Sequence, residues 1–347
     1  MIHFPKIWGE KKSWRRRGYY LWFIVVLLLG LVIYLFSMSI IPAGGYDYGI
    51  TFSDTYATEL GLDWKDTYIS LLDDLEFKNL RLMTYWDEIE MVPGQFNWEK
   101  IDWQVQQAAQ RQANIIMVVG RRQPRWPECH DPGWLNELSV WEQHQAINNF
   151  VKATIEHFKT ADNIIAWQVD NEVFLTTFGD CPLISASQYE QRLNLVKSLD
   201  SRPIISTESG ELSTWWRSAR LNNILGVSVY RNTWTKWYGK FYYPLPPFYY
   251  YLKAKLLMWL TPLQKVFVSE LQLEPWSDIP LAEMELADQL ESMNIDTFWK
   301  NIRYAQRIGF SDIYLWGGEW WYWLKVKRGD DSFWQAAKQV LDNDNRD

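Results

Sequence analysis

The chain has 347 residues, 48% hydrophobic and 22% charged, with a net charge of −7. This is a globular balance without the basic footprint of a nucleic-acid binder, which excludes that class of partner. Aromatic residues reach 17% and include 23 Trp; any single Trp belongs in a core, but indole also stacks on the apolar faces of pyranose rings, so several are expected to line a sugar-binding cleft.

Residues 1–18 are basic, with Lys6, Lys11, Lys12, Arg15, Arg16 and Arg17 against Glu10. Tyr19 to Ile41 then carries no charged side chain. At ~1.5 Å per residue this stretch reaches roughly 34 Å, enough to cross a hydrocarbon core of ~30 Å. Tyr19, Tyr20 and Trp22 sit where amphipathic rings favour the interface, and the positive flank keeps the N-terminus in the cytoplasm. A cleaved signal peptide is the competing reading, with Pro42-Ala43-Gly44-Gly45 as its processing site, but its apolar core is usually only ~7–15 residues. No Cys lies near this segment, which excludes a lipoprotein anchor. The expected organisation is a cytoplasmic basic segment over 1–18, a transmembrane signal anchor over 19–41 and one extracytoplasmic domain over 42–347. The expected location is a single-pass protein of the cell membrane with its domain outside the cytoplasm.

Beyond a short linker the pattern alternates between strand and helix. Strands are expected at Asp47–Phe52, Asn79–Thr84, Asn114–Gly120, Ile164–Asp170, Pro203–Thr207, Leu225–Tyr230, Lys265–Ser269 and Ile313–Trp316. Helices are expected at Leu62–Phe77, Trp98–Arg111, Val140–Phe158, Ser187–Leu199, Thr214–Asn223, Thr297–Ile308 and Ser332–Leu341, with a turn at Pro93-Gly94. The aromatic, Pro-rich stretch Trp234–Leu263 takes the place of the sixth helix; membrane contact or self-association through Phe248–Leu260 is the competing reading. Eight strands alternating with helices predict an α/β fold, a parallel sheet closed into a (β/α)8 TIM barrel behind one N-terminal transmembrane helix.

In such a barrel, chemistry lies at the C-terminal strand ends. The fourth strand ends in Asp170-Asn171-Glu172, and Glu270 stands just past the seventh. Two carboxyl groups ~5 Å apart suit a retaining glycosidase: one delivers a proton to the leaving oxygen, the other attacks the anomeric carbon. Asn171 is expected to hold the sugar's 2-hydroxyl, Tyr230 and Arg81 to favour the ionised form of Glu270, and Trp316 to floor the reacting sugar. Asn171 and Glu172 as mere helix caps is the bland alternative. His3, His130, His144 and His157 show no His-x-His or His-Glu-x-x-His spacing, so no metal site and no cofactor are expected. Cys129 and Cys181 fall in the loops after strands three and four, neighbours at one face, where a disulfide is expected in an oxidising compartment.

Trp167-Gln168-Val169-Asp170-Asn171-Glu172 resembles the strand-four Asn-Glu motif of glycoside hydrolase clan A, and Val266-Phe267-Val268-Ser269-Glu270 resembles that clan's strand-seven nucleophile motif. Arg81-Leu82, Tyr230 and Trp316 sit where the clan places supporting Arg, Tyr and Trp. The segment Tyr85 to Trp98 is similar to the region after strand two in cellulase-like family 5 and β-galactosidase-like family 42. The resemblance spans roughly residues 46–342 and fixes no single family. It implies β-glycoside hydrolysis with retention, Glu172 as acid/base and Glu270 as nucleophile. It departs at Val173, where many relatives have Pro, and at Leu271 to Trp276.

Glu274 is the alternative nucleophile. Trp86 and Glu319 are counted with Asn171, Arg81, Tyr230 and Trp316 as substrate-binding residues. Glu208, Glu211, Asp87 and Glu88 are either hydroxyl ligands or solvated loop acids. Arg121, Arg122, Gln123, Arg125 and Trp126 form either a subsite for an acidic or branched glycan or a loop scaffold paired with Asp131 and Glu128. Trp320, Trp321 and Trp323 are divided between sugar stacking and packing. The expected partners are an oligo- or polysaccharide substrate and, through the N-terminal helix, the membrane. A glycosidase or transglycosidase is the leading function, and a non-catalytic glycan-binding barrel at the cell surface the alternative.

Overall fold

The computed structural model describes residues 10–235, 239–277 and 279–344. The first nine residues of the expected basic segment, and residues 236–238 within Trp234–Leu263, lie outside the described residues. The chain opens with α1 (Glu10–Ser37), which includes an uncharged stretch long and apolar enough to cross a membrane or serve as a signal sequence. The barrel follows as β1 (Asp47–Phe52), α2 (Asp54–Glu59), α3 (Trp64–Asp73), β2 (Asn79–Met83), α4 (Trp86–Ile89), α5 (Glu99–Gln110) and β3 (Asn114–Val119). It continues through α6 (Val140–Phe158), β4 (Ile164–Val169), α7 (Ala186–Leu199), β5 (Ile204–Ser209), α8 (Trp216–Leu221) and β6 (Ile224–Val229). A hairpin of β7 (Asn232–Thr235) and β8 (Gly239–Tyr242) precedes α9 (Pro247–Leu260). The chain then runs through β9 (Lys265–Gln272), α10 (Leu286–Ser292), α11 (Ile295–Gln306), β10 (Asp312–Trp316), α12 (Gly318–Trp323) and α13 (Ser332–Asp344).

Eight strands close a parallel barrel in the order β1-β10-β9-β6-β5-β4-β3-β2. The pleat sorts the side chains. On β4, Ala166 joins Ile116, Ile205, Phe267 and Tyr314 in an apolar plug inside the barrel, while Trp167 and Val169 face outward into the core shared with the helices. Ser139 caps α6 and Ser185 caps α7, each in a reciprocal capping box, with Glu142 and Gln188 respectively.

Four sequence expectations change. The uncharged stretch does not stay helical to Ile41: α1 ends at Ser37, and Met38–Ile41 turns onto the barrel, where Ile40 N donates to Arg307 O (3.2 Å) and Arg307 Nε to Ser39 Oγ (2.7 Å). The expected helix Leu62–Phe77 is preceded by a short α2 that Ser53 caps. The hairpin β7–β8 stands before α9. Lastly, β9 runs to Gln272, so Glu270 lies within the strand rather than past it.

Candidate active site

The end of β4 leaves strand geometry abruptly. Asp170 and Glu172 have φ of 53° and 40°, a left-handed region that costs a non-glycine residue roughly 1–3 kcal/mol. Neighbouring loops hold this backbone. Asp170 Oδ1 accepts from the N–H of Arg121 (2.8 Å) and of Arg122 (3.0 Å), and its other oxygen pairs with Arg192. Asn171 N donates to Arg122 O (2.7 Å), and Glu172 N to Thr207 Oγ1 (2.9 Å). Gly120, at φ 119°, leaves room for this: a Cβ there would collide with the Asp170 carboxylate.

On β9, alternation brings Phe267 and Ser269 inward, which should turn Glu270 out. The register slips instead. Val227 pairs with Val268 but Ser228 pairs with Glu270, so β9 holds one extra residue. The bulge re-aims Glu270 into the barrel mouth. There Arg81 Nη1 contacts its Oε1 at 2.7 Å, and Tyr230 Oη donates to its Oε2 at 3.0 Å. Burial, then the charge of Glu270, hold the Tyr230 phenol well above its usual range, so it remains a donor. Arg81 is fully buried and spends its other donors on Gln168 Oε1 (2.7 Å) and Asn171 Oδ1 (2.8 Å).

Glu172 has a different setting. Among the described residues no cation pairs with it; its Oε1 accepts from Ser228 Oγ at 2.6 Å. Burial, then the nearby charges of Glu270 and Glu128, push its carboxyl well above the usual range. Two buried acids therefore share one pocket, one biased toward the proton-bearing form and one ion-paired. Glu128 makes a third. Its Oε2 pairs with Arg122 (2.6 Å) and its Oε1 accepts from Asn171 Nδ2 (3.4 Å); burial raises its pKa to about 7 despite that arginine.

A second network rings Trp316. Its Nε1 donates to Glu274 Oε1 at 2.7 Å. The Arg125 guanidinium lies between two rings, 4.1 Å from the centre of Trp316 and 3.7 Å from that of Tyr56. Arg125 also pairs with Glu274 and, at 3.1 Å, with Glu319. Glu319 accepts from Ser53 N as well, and burial raises its pKa to about 7.

Arg81, Asn171, Glu172, Tyr230, Glu270 and Trp316 thus come together at the barrel mouth. Trp86 does not: it is fully buried against Phe150 and Trp134, its Nε1 bonded to Glu90, because the single turn of α4 rotates it into the core. Glu319 is fully buried in the Arg125 network. Trp320, Trp321 and Trp323 are all packing residues. Glu208 is bonded to Ser213 and Ser218, and Glu211 to Tyr250 and the Tyr230 N–H. Glu88 holds Thr55 and Lys100, and Asp87 lies 3.8 Å from His130. Arg121 pairs with Asp131 and Arg122 with Glu128, a scaffold for the loop after β3. The disulfide Cys129–Cys181 ties that loop to the one after β4. Sequence reasoning missed Gln168, Thr207, Ser228 and the inward role of Glu128; only their alternation with apolar neighbours along a strand pointed to the first three. Among the described residues, no group of three or more His, Cys, Asp or Glu is placed to hold a metal.

Residues 79–191 match the family model for glycosyl hydrolase family 10. Among solved structures, the chain is similar to the Bifidobacterium longum GH5_18 variant in complex with Manb1-4GlcNAc, at TM-score 0.56 and 12% identity over 78% of this chain and 68% of that one. It is similar to an endo-β-1,4-xylanase of family 10 from Gloeophyllum trabeum, at TM-score 0.55 and 15% identity over 86% and 96%. It is also similar to xylanase 10B from Thermotoga maritima, at 0.55 and 14% over 89% and 96%. No curated protein matches it. The (β/α)8 barrel is thus the fold these glycosidases share, and the segment from β2 into α7 carries the likeness to glycosyl hydrolase family 10.

Proposed function

We propose that this chain is a membrane-anchored retaining β-glycoside hydrolase or transglycosidase, acting on a β-linked glycan outside the cytoplasm. The observation that carries the reading is the contrast between two acids in one pocket. Among the described residues Glu172 has no ion-pair partner, and it neighbours two other carboxylates, which suits a proton donor. Glu270 is paired with Arg81 and Tyr230, which suits an anion.

In this mechanism, Glu172 gives its proton to the glycosidic oxygen as a Glu270 oxygen attacks the anomeric carbon. The leaving sugar departs and a glycosyl ester on Glu270 remains. Glu172, now ionised, takes a proton from water or from an acceptor hydroxyl, whose oxygen attacks the same carbon and frees Glu270. Arg81 and Tyr230 position the nucleophile, and Asn171, oriented by Arg81 and Glu128, faces the 2-hydroxyl. Residues 17–35 of α1 anchor the chain, with residues 42–347 on the outer side. The neighbours named for Manb1-4GlcNAc and for endo-β-1,4-xylanase make β-1,4-linked manno- and xylo-oligosaccharides the first substrates to try.

A non-catalytic glycan-binding barrel is the second reading. Arg125 favours it by lying over the Trp316 ring where a sugar would stack. One experiment separates the two. The full chain in detergent is assayed on aryl β-glycosides and on those oligosaccharides, beside Glu172→Ala and Glu270→Ala with added azide. Loss of hydrolysis in both variants, with azide giving a β-glycosyl azide from Glu172→Ala and an α-glycosyl azide from Glu270→Ala, is the expected result. Hydrolysis surviving in Glu270→Ala moves the nucleophile to Glu274. Glycan binding without turnover selects the second reading.

A further inference from the structure

The helix α9 carries an apolar face that the barrel does not use. Its inner side packs through Tyr250, Ala254 and Leu257. The outer side shows Leu252 (55% exposed), Leu256 (51%), Trp259 (80%) and Leu260. Positions 252, 256 and 259/260 follow helical spacing, so these side chains form one continuous stripe. Isolated exposed apolar residues need no explanation, but a contiguous stripe does.

The stripe is not placed at random. α9 lies against α1, whose uncharged stretch is exposed along its length and is long and apolar enough to cross a membrane. The two are stitched together at their base. A Cβ on Gly309 would meet Cγ2 of Ile40 at 2.6 Å and Cδ2 of Tyr251, on α9, at 3.0 Å. Ile40 is also fixed to Arg307 O, so the segment leaving α1 is pinned beside α9 rather than swinging free.

Composition agrees with an interfacial location. α9 has no acidic residue. Of its two lysines, Lys253 turns inward, donating to Ser213 O, while Lys255 is exposed with its Nζ 5.3 Å from the Tyr251 ring. Trp near the end of an apolar stripe and a lysine able to reach the headgroups are what a bilayer boundary selects.

We propose that the Leu252–Leu256–Trp259–Leu260 stripe of α9 lies in the lipid headgroup–acyl boundary beside α1, giving the barrel a second membrane contact. The barrel then does not tumble on its tether, and its orientation is fixed. This inference rests on the anchor reading of α1.

The test uses the full chain in vesicles of phosphatidylcholine and phosphatidylglycerol. A benzophenone amino acid replaces Trp259, or Leu28 in α1, or Trp141, which is exposed on α6. After illumination, mass spectrometry reads lipid adducts. Adducts at 28 and 259, and a yield at least about tenfold lower at 141, are expected. Adducts at 28 with none at 259 overturn the inference and leave the anchor standing. Adducts at none of the three overturn both. Cross-linked dimers at 259 in place of lipid adducts overturn the inference in favour of a second copy of this chain. Leu256 labelled in the same way guards against misfolding of the 259 variant and must give the same answer.

Discussion

Arg81 Nη1 and Glu270 Oε1 stand 2.7 Å apart, although 189 residues separate them in sequence. The arginine is fully buried and also holds Asn171 and Gln168, so one guanidinium organises both the proposed nucleophile and the proposed 2-hydroxyl ligand. Removing one partner of such a buried pair leaves the other charge uncompensated, at a cost of roughly 3–5 kcal/mol. Arg81→Ala is therefore expected to lower unfolding free energy by about that much. On a cleaved substrate it should reduce kcat far more than it raises KM. Arg81→Lys should restore most of the stability and little of the rate, because a point charge does not reproduce the fork. Urea melts and steady-state kinetics measure both.

Glu172 predicts a pH dependence of stability. Its folded pKa is raised above the ordinary 4.5. Below that value the group is neutral in both states and adds no slope. As pH rises past it, the unfolded chain releases its proton first while the folded chain keeps it, so stability falls until the folded carboxyl also ionises. Glu172→Gln removes this loss. The variant should match the native chain at pH 4 and melt at a higher temperature at pH 8. A gain of equal size at both pH values would contradict the assignment of a raised pKa. On activity, the alkaline limb of kcat/KM should belong to Glu172.

Arg125 neutralises two buried acids, Glu274 and Glu319, while covering the Trp316 ring. Arg125→Ala should lose several kcal/mol of stability, on the order of the 3–5 expected for a broken buried pair. Adding Glu274→Gln to Arg125→Ala should recover part of it, since one stranded charge disappears. Chemical denaturation of the single and double variants gives the coupling directly.

The Cys129–Cys181 bridge closes a loop of 52 residues. Chain entropy assigns such a link about 4 kcal/mol. Cys129→Ser is expected to lower stability by roughly that amount, and to weaken activity further by loosening the loop that carries Arg122, Arg125 and Glu128. Equal activity in the oxidised and reduced protein at a temperature where both are folded would dissociate the bridge from the site.

Much of this architecture was legible in the sequence because apolar alternation and helical spacing are local signals. Asp47–Phe52 and Val140–Phe158 agree with the structure residue for residue. Strand ends rich in Asn, Glu and Arg marked out the polar mouth, and strand position together with the resemblance to clan A motifs put Arg81, Asn171, Glu172, Tyr230, Glu270 and Trp316 on it. What stayed hidden depends on contacts between distant segments. The bulge at Ser269–Glu270 is a property of pairing with β6, and no pattern within β9 reveals it. Trp86 follows a strand end in sequence, but one helical turn carries it into the core, and nothing local distinguishes the two fates. Glu128 is an ordinary loop acid until Arg122 and Asn171 converge on it. The covering of Trp316 by Arg125 joins loops that no periodicity relates.

The chain enters the barrel from α1 at the N-terminal end of β1, whereas the carboxylates sit at the opposite ends of the strands. From Lys265 to Glu270 a strand climbs five residues, roughly 17 Å at about 3.3 Å each. On the proposed anchoring, that length separates the mouth from the end at which α1 joins the barrel. On the function and anchoring proposed above, selection would be by reach as well as by linkage: a glycan standing off from the membrane would meet the mouth before a sugar fixed directly to a lipid of the same leaflet.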